Sequence, residues 1–412
     1  MRKDRRTRKV LFIAALALVA AFAVTAAAVA GPSSKASALA PSPLCTGSAG
    51  IGFAGPLTGP AAFLGQDQLH WMQVFLGAWN GGKPIPGVPA GLKRVPVNLA
   101  LAGDSQLNPQ VAATVGAQML SNKVILGMVW FAGSNENLGG GPVLDRGGMA
   151  YITGSATRDD LTKSLKNLFR IVPNNFRQAT VAIDYLLKNG LIKKGQQAMV
   201  IDDGEAYGIN IADDAQKLLE AAGLKVDRES LPQSTSTATA DFTALANKAL
   251  AINADIVYAP TQTASDSQLF AQQLKSNGYK GIFQATDGSF DSKSFKFPGA
   301  YVSFFGHDVY RVPAAKPFVT AYTKVWGATT PFGAPNFVAA QMLVMAIAKS
   351  CADGQTSRAE VKKVLAGVSV STSILGHAVA FDNARDVKKG PARGITLWQI
   401  QPNGTYKQIL AV

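Results

Sequence analysis

The 412-residue chain is short of cysteine, histidine and charge. It holds two Cys and three His, and 16% of its residues are Asp, Glu, Lys or Arg. Two cysteines this far apart make neither a metal-ligand pair nor a disulfide-stapled scaffold. His70, His307 and His377 are scattered, each reading as a surface or packing residue, and neither H-E-x-x-H nor G-x-S-x-G occurs. No nucleophile–base pair or metal cluster can be named, and neither a catalyst nor a cofactor is expected. Acids spread through many loops leave only two-carboxylate chemistry open. After residue 40 no apolar run is long enough to span a bilayer. Dense Lys/Arg runs with interleaved aromatics are missing too, which argues against nucleic acid.

What is present begins with an address. Residues 2–9, RKDRRTRK, carry six basic side chains and one acid, and Val10–Ala30 is an unbroken run of apolar and small residues. This is the layout of a secretory signal, with cleavage after Ala30, Ala38 or Ala40. The 21-residue run is also long enough for a retained anchor. Seven of the 40 basic and one of the 26 acidic side chains lie within residues 1–40, so the remainder carries 33 basic and 25 acidic residues. In an exported chain, Cys45 and Cys351 suggest one disulfide; two unrelated thiols are the alternative.

Beyond residue 48, apolar runs alternate with helical patterns. Strands are expected at Ala49–Ala54, Val95–Leu101, Val124–Val129, Met149–Thr153, Leu168–Val172, Ala198–Ile201, Leu224–Asp227, Ile256–Ala259 and Ile282–Ala285. Helices are expected between them, among them Gln66–Trp79, Asn108–Asn122 and Ile209–Ala222. Such β-α repetition implies parallel sheets covered by helices. Pro313–Gly367 reads as mostly helical, and strands end the chain. Gly50–Gly55, GIGFAG, spells G-x-G-x-x-G. Its context denies a dinucleotide loop: no apolar strand precedes it, and Pro56-Leu57-Thr58-Gly59-Pro60 follows in place of a helix. The stretch is instead the first strand, with a cleft-lining loop at its carboxyl end.

The ordered segments IGFAGPLTGPAAFLG (51–65), NPQVAATVGAQML (108–120), MAYITGSATRDDLT (149–162), LFRIVPNNFRQATVAIDYL (168–186), DDGEAYGINIADDAQKLLEAAGLKV (202–226) and ADIVYAP (254–260) carry a resemblance. Together they resemble the extracellular receptors of ABC importers similar to the branched-chain amino-acid-binding proteins, over roughly residues 49–410. The resemblance implies an α/β fold of two lobes, each a parallel-type sheet flanked by helices, joined by three crossovers. It places lobe one at 48–171 with 304–374 and lobe two at 174–302 with 378–412. The crossovers then fall near Arg170–Pro173, Tyr301–Gly306 and Ser373–Val379. Cys45 and Cys351 would share lobe one.

The resemblance also implies a ligand set. Lobe one would hold an α-carboxylate with the Ser134 hydroxyl and the turn Ser155-Ala156-Thr157, the Ser155 carbonyl accepting from the α-ammonium. Glu136 is an odd neighbour for a carboxylate unless it points away, and three glycines and Pro142 imply a short or irregular helix after Ser134. Lobe two would supply Tyr207, Asp287 to pair with the ammonium, and Gln262 (or a flanking Thr). Leu64, standing where some relatives carry Tyr, would line the side-chain pocket with Phe63, Trp130 and Phe131; the last two read equally well as core aromatics. The expected partners are a small amino acid or similar zwitterion and a membrane permease, and the chain is expected to be a monomer. A ligand sensor of the same fold, or a binder of amides or aromatic acids, is the alternative.

Overall fold

The computed structural model describes residues 42–231, 241–388 and 394–412. The secretory-signal and anchor expectations fall on residues outside these. Among the described residues no single helix is long and apolar enough to cross a membrane.

The first sheet is built from β1 (Ala49–Gly55), β2 (Val97–Asp104), β3 (Ile125–Val129), β4 (Tyr151–Thr153) and β5 (Leu168–Arg170). It runs β2-β1-β3-β4-β5, all parallel. The helices α1 (Ala62–Asn80), α2 (Pro109–Ser121), α3 (Ser134–Arg146) and the short α4 (Leu161–Ser164) connect the strands. Every residue of β1 is buried, as a strand covered on both faces must be. The glycines of GIGFAG serve that packing. A Cβ on Gly50 would lie 2.6 Å from Ala100 Cβ, and one on Gly52 2.8 Å from Met119 Sδ on α2.

The second sheet holds β6 (Gln197–Asp202), β7 (Lys225–Ser230), β8 (Ile256–Ala259), β9 (Ile282–Ala285) and β10 (Tyr301–Phe305), with α5 (Asn175–Lys188), α6 (Ala206–Ala221), α7 (Thr243–Ala251) and α8 (Ala264–Ser276). The chain then returns to the first lobe as α9 (Lys316–Trp326), α10 (Ala334–Ser350) and α11 (Arg358–Leu365). Of α10, every residue but Lys349 is buried, which makes it a core helix of that lobe. The small pair β11 (Ser369–Val370) and β12 (Val379–Ala380) follows. Finally β13 (Ile395–Ile400) and β14 (Tyr406–Ala411) add antiparallel strands, giving the order β14-β13-β10-β9-β8-β6-β7.

Three details refine or depart from expectation. Within the crossover expected near Tyr301–Gly306, Tyr301–Phe305 forms a full strand of the second sheet, paired with β9 and β13. Gly306 follows it, and its φ of +142° suits glycine. The third crossover also comes later than Ser373–Val379. Arg385 donates to the carbonyls of Leu168 and Thr162, and Arg170 forms a two-bonded ion pair with Asp386, so the chain stays on the first lobe through residue 386. Third, the helix after Ser134 is neither short nor broken: α3 runs thirteen residues through Gly139–Gly141 and Pro142. A Cβ on Gly139 would lie 2.2 Å from Pro109 O at the start of α2, so the glycines let two helices touch where larger residues would hold them apart. Cys45 and Cys351 are joined as a disulfide.

Candidate functional site

In parallel sheets the connections at the carboxyl ends of strands are where ligands sit. Here those of both sheets converge on one nearly closed hollow of about 20 Å³, so a solute would need the lobes to part before it entered. From the first lobe it is lined by Leu64 of α1, Ala132-Gly133-Ser134 after β3, Ser155 after β4, and Phe332. From the second come Tyr207 at the start of α6, Gln262 after β8, and Asp287 and Gly288 after β9.

Ser134 opens α3, and its Oγ accepts from Arg158 N at 3.3 Å, leaving the hydroxyl proton free to donate. Ser155 is more committed: its Oγ donates to Ala132 O (3.0 Å) and accepts from Gln68 Nε2 (2.6 Å). The Ala156 amide donates to Thr153 Oγ1 at 3.0 Å. Thr157 is buried, and its Oγ1 has no hydrogen-bond partner among the described residues. Glu136 turns back beneath the helix, accepting from Gly133 N (2.6 Å) and from the Ser105 hydroxyl. Burial pushes its pKa up to about 7. It therefore caps its own helix and does not line the hollow.

The second lobe is centred on Asp287. The Tyr207 hydroxyl lies 2.6 Å from Asp287 Oδ1 and 2.7 Å from Thr286 Oγ1, so with one proton it donates to the carboxylate. Gln178 Nε2, from α5, donates to the same oxygen at 2.7 Å. Among the described residues no side chain donates to Oδ2, and the only further hydrogen bond to the carboxylate is from the residue's own amide. Burial raises the Asp287 pKa to about 6, against the lowering effect of Tyr207 and Gln178. A buried carboxylate beside a hollow, with no cation on it, is an incomplete pair.

Polar contacts bridge the lobes at the rim. Gln262 Nε2 donates to Asn135 Oδ1 at 3.1 Å, and Asn135 Nδ2 donates to Glu205 Oε2 at 3.1 Å. Arg158 donates to Ala206 O at 3.1 Å, and the Asp159 amide to Asn210 Oδ1 at 3.0 Å.

Of the ten side chains expected around a ligand, Ser134, Ser155, Tyr207, Asp287, Leu64 and Gln262 line the hollow. Ala156 and Thr157 lie behind it, on the buried turn. Phe63 packs edge-on against Phe332, 6.1 Å between ring centres. Trp130 does not reach the hollow. It is fully buried in the first lobe's second core cluster, packed on Phe131 and Tyr151, because the strand end turns its ring toward α2 and α3. The aromatic wall is instead Phe332, in the loop after α9, which also meets Phe304 and Phe305 of β10. Its only sequence signal is an aromatic between Pro331 and Gly333.

Comparison with known proteins fits this geometry. A protein of Brucella abortus, Leu/Ile/Val-binding protein homolog 7, is 25% identical over 370 residues, 84% of this chain and 87% of its own. A leucine-binding protein from Thermotoga maritima superposes with a TM-score of 0.74 at 18% identity, covering 88% of this chain and 98% of its own. A solute-binding protein of an ABC transporter from Rhodopseudomonas palustris, in complex with 3,4-dihydroxy benzoic acid, superposes at 0.71 with 15% identity, covering 88% and 97%. At such identities the two structures speak for the fold. The pattern that defines the family of periplasmic binding proteins matches residues 48–405. The chain therefore belongs to the periplasmic binding protein family.

Proposed function

We propose that this protein is the extracytoplasmic receptor of an ABC importer, closing its lobes on an α-amino acid with an aliphatic side chain and presenting it to a membrane permease. The observation that carries this reading is Asp287, a buried carboxylate with one oxygen that no side chain donates to and no cation beside it. An α-ammonium completes it. On the other lobe the Ser134 hydroxyl, which lines the hollow at the positive end of α3, is a donor suited to an α-carboxylate. Leu64 and Phe332 give the side chain an apolar seat. The name of the Brucella relative favours Leu, Ile or Val.

Closure follows from where the charges sit. The carboxylate of the solute is held by one lobe and its ammonium by the other, so only the closed form satisfies both. The solute shifts the open–closed equilibrium by that difference in affinity.

A thermal-shift screen of amino acids, amides and aromatic acids tests the reading. Zwitterions should raise the melting temperature, with the effect lost in Asp287→Ala and Ser134→Ala. Truncating one partner of a buried charge pair costs about 2–5 kcal/mol, so affinity should fall at least roughly 30-fold. If only aromatic acids such as the one bound by the Rhodopseudomonas protein stabilise the chain, the ammonium role of Asp287 is wrong. Solute uptake by cells lacking the gene separates a transport receptor from a sensor of the same fold.

A further inference from the structure

Three consecutive polar side chains at the start of α1 each reach a different loop beside the hollow. Gln66 donates to Leu57 O at 3.0 Å, and Gln68 to Ser155 Oγ at 2.6 Å. Between them Asp67, 4% exposed, is held by hydrogen bonds alone. Its Oδ1 accepts from Tyr322 Oη (2.5 Å) and Thr329 Oγ1 (2.9 Å); its Oδ2 accepts from Thr330 Oγ1 (2.7 Å) and Gly333 N (2.7 Å). All four donors lie on α9 or the loop that follows it. Trp71, one turn on, donates Nε1 to the same Thr329 at 2.6 Å. Gly333 is pressed so close that a Cβ there would lie 2.1 Å from Trp71 Cδ1 and 2.5 Å from Asp67 O. A buried carboxylate without a cation is costly, and packing α1 does not require one. What this carboxylate does is fix a loop.

That loop is a partition. Phe332 faces the ligand hollow. Thr329, Thr330 and Pro331, immediately before it, line a second, solvent-open cleft of about 420 Å³, walled on its other side by Phe290, Trp398 and Tyr406. Between the two spaces stand this loop, tied to Asp67, and the ring contacts of Phe332 with Phe304 and of Phe304 with Phe290.

We propose that Asp67 is a positioning residue: it holds Thr329–Phe332 as the end wall of the hollow and thereby sets the longest solute the hollow accepts. This rests on the reading of the hollow as the solute site. Releasing the loop joins the hollow to the outer cleft, and the protein then takes longer chains. Asparagine keeps most of the tether, because its Oδ1 still accepts from Gly333 N and Thr330, and its Nδ2 donates to the Tyr322 and Thr329 hydroxyls.

The test compares wild type with Asp67→Ala, Asp67→Asn and Thr330→Val, each first checked for a cooperative melt. Two straight-chain series are titrated, α-amino acids from alanine to 2-aminooctanoate and the matching n-alkyl carboxylates. Amide hydrogen exchange is followed over residues 327–333. In Asp67→Ala the affinity ratio of longest to shortest solute should rise roughly tenfold or more, the worth of about two further buried methylenes. Residues 329–333 should exchange faster. Thr330→Val should move both readouts the same way by less, and Asp67→Asn should stay near wild type. An unchanged chain-length profile in Asp67→Ala and Thr330→Val, or unchanged exchange, overturns the proposal. If only the carboxylates bind wild type, the ammonium reading of Asp287 fails, and the length profile in that series still decides the role of Asp67. If neither series binds, both readings fall.

Discussion

Several carboxylates are buried or half-buried in this protein, and each is answered differently. Asp67 has four hydrogen-bond donors, Glu136 has a helix start and a serine, Asp203 has the amides of Gln262 and Glu205, and Asp287 has two side-chain donors on one oxygen and none on the other. Burial raises the pKa of Glu136 and of Asp203 to about 7. The folded state therefore binds protons near neutrality that the unfolded chain, with acids near pH 4, does not. Stability from these groups is complete below the unfolded pKa and is lost as pH rises through about 7. The melting temperature of the unliganded protein should accordingly rise as pH falls from 8 to 6.5, and Glu136→Gln should flatten that slope. Below 6.5 the three histidines, each lowered by burial, oppose the trend. A wild-type slope that Glu136→Gln leaves intact would show that Glu136 is not titrating there. Solute affinity should follow a different group. The ammonium needs ionised Asp287, so binding should weaken as pH drops through about 6, and a titration at pH 5 against one at 7.5 checks it.

At the scale of elements, α3 carries the site's first donor and is also the tightest packed. Gly139→Ala would place a methyl 2.2 Å from Pro109 O, backbone that cannot swing aside. Overpacking of this kind costs about 1–3 kcal/mol, to be read as a lower midpoint in chemical denaturation. The disulfide ties the segment before β1 to the end of α10, 306 residues away in sequence. Replacing both cysteines by Ser should cost about 2–4 kcal/mol of stability while leaving solute affinity intact, since neither lines the hollow.

These elements also show what the sequence could reveal. Strands such as Ile256–Ala259 and Ile395–Ile400 are apolar runs with clear ends, and they fold where periodicity places them. Strand Tyr301–Phe305 carries no sequence sign of its pairing with β13, whose residues come some 90 positions later. Glycine-rich α3 contradicts helix propensity, and only its contact with α2 resolves the conflict. Ser134, Tyr207 and Asp287 were legible as polar residues at strand ends and helix starts. Phe332 and Asp67 were not. The one sits in a loop without period, and the other reads as an ordinary acid in the first turns of a helix until the chain returns more than 250 residues later to cover it.

The whole molecule behaves as two sheet-centred lobes with a polar rim. Gln262 donates to Asn135, Asn135 donates to Glu205, and Arg158 donates to Ala206 O; if the lobes part as proposed, these bonds should break. A single hydrogen bond is worth about 0.5–1.5 kcal/mol net. Asn135→Ala removes two such bonds and should thus weaken apparent affinity by roughly 5- to 160-fold, although Asn135 need not touch the solute. In small-angle scattering, solute should shrink the radius of gyration of wild type, and Asn135→Ala should need more solute for the same contraction. Unaltered affinity in Asn135→Ala would remove the rim from the closing energetics.

The most direct measurement is calorimetric titration of leucine, isoleucine and valine into wild type and Asp287→Asn at pH 7.5. Asparagine keeps the shape of the side chain and removes its charge. The expected result is saturable binding of at least one of these zwitterions to wild type, weakened at least roughly 30-fold in Asp287→Asn. Equal binding by the two proteins, or heat only from solutes without an ammonium group, would contradict an amino-acid receptor built around Asp287.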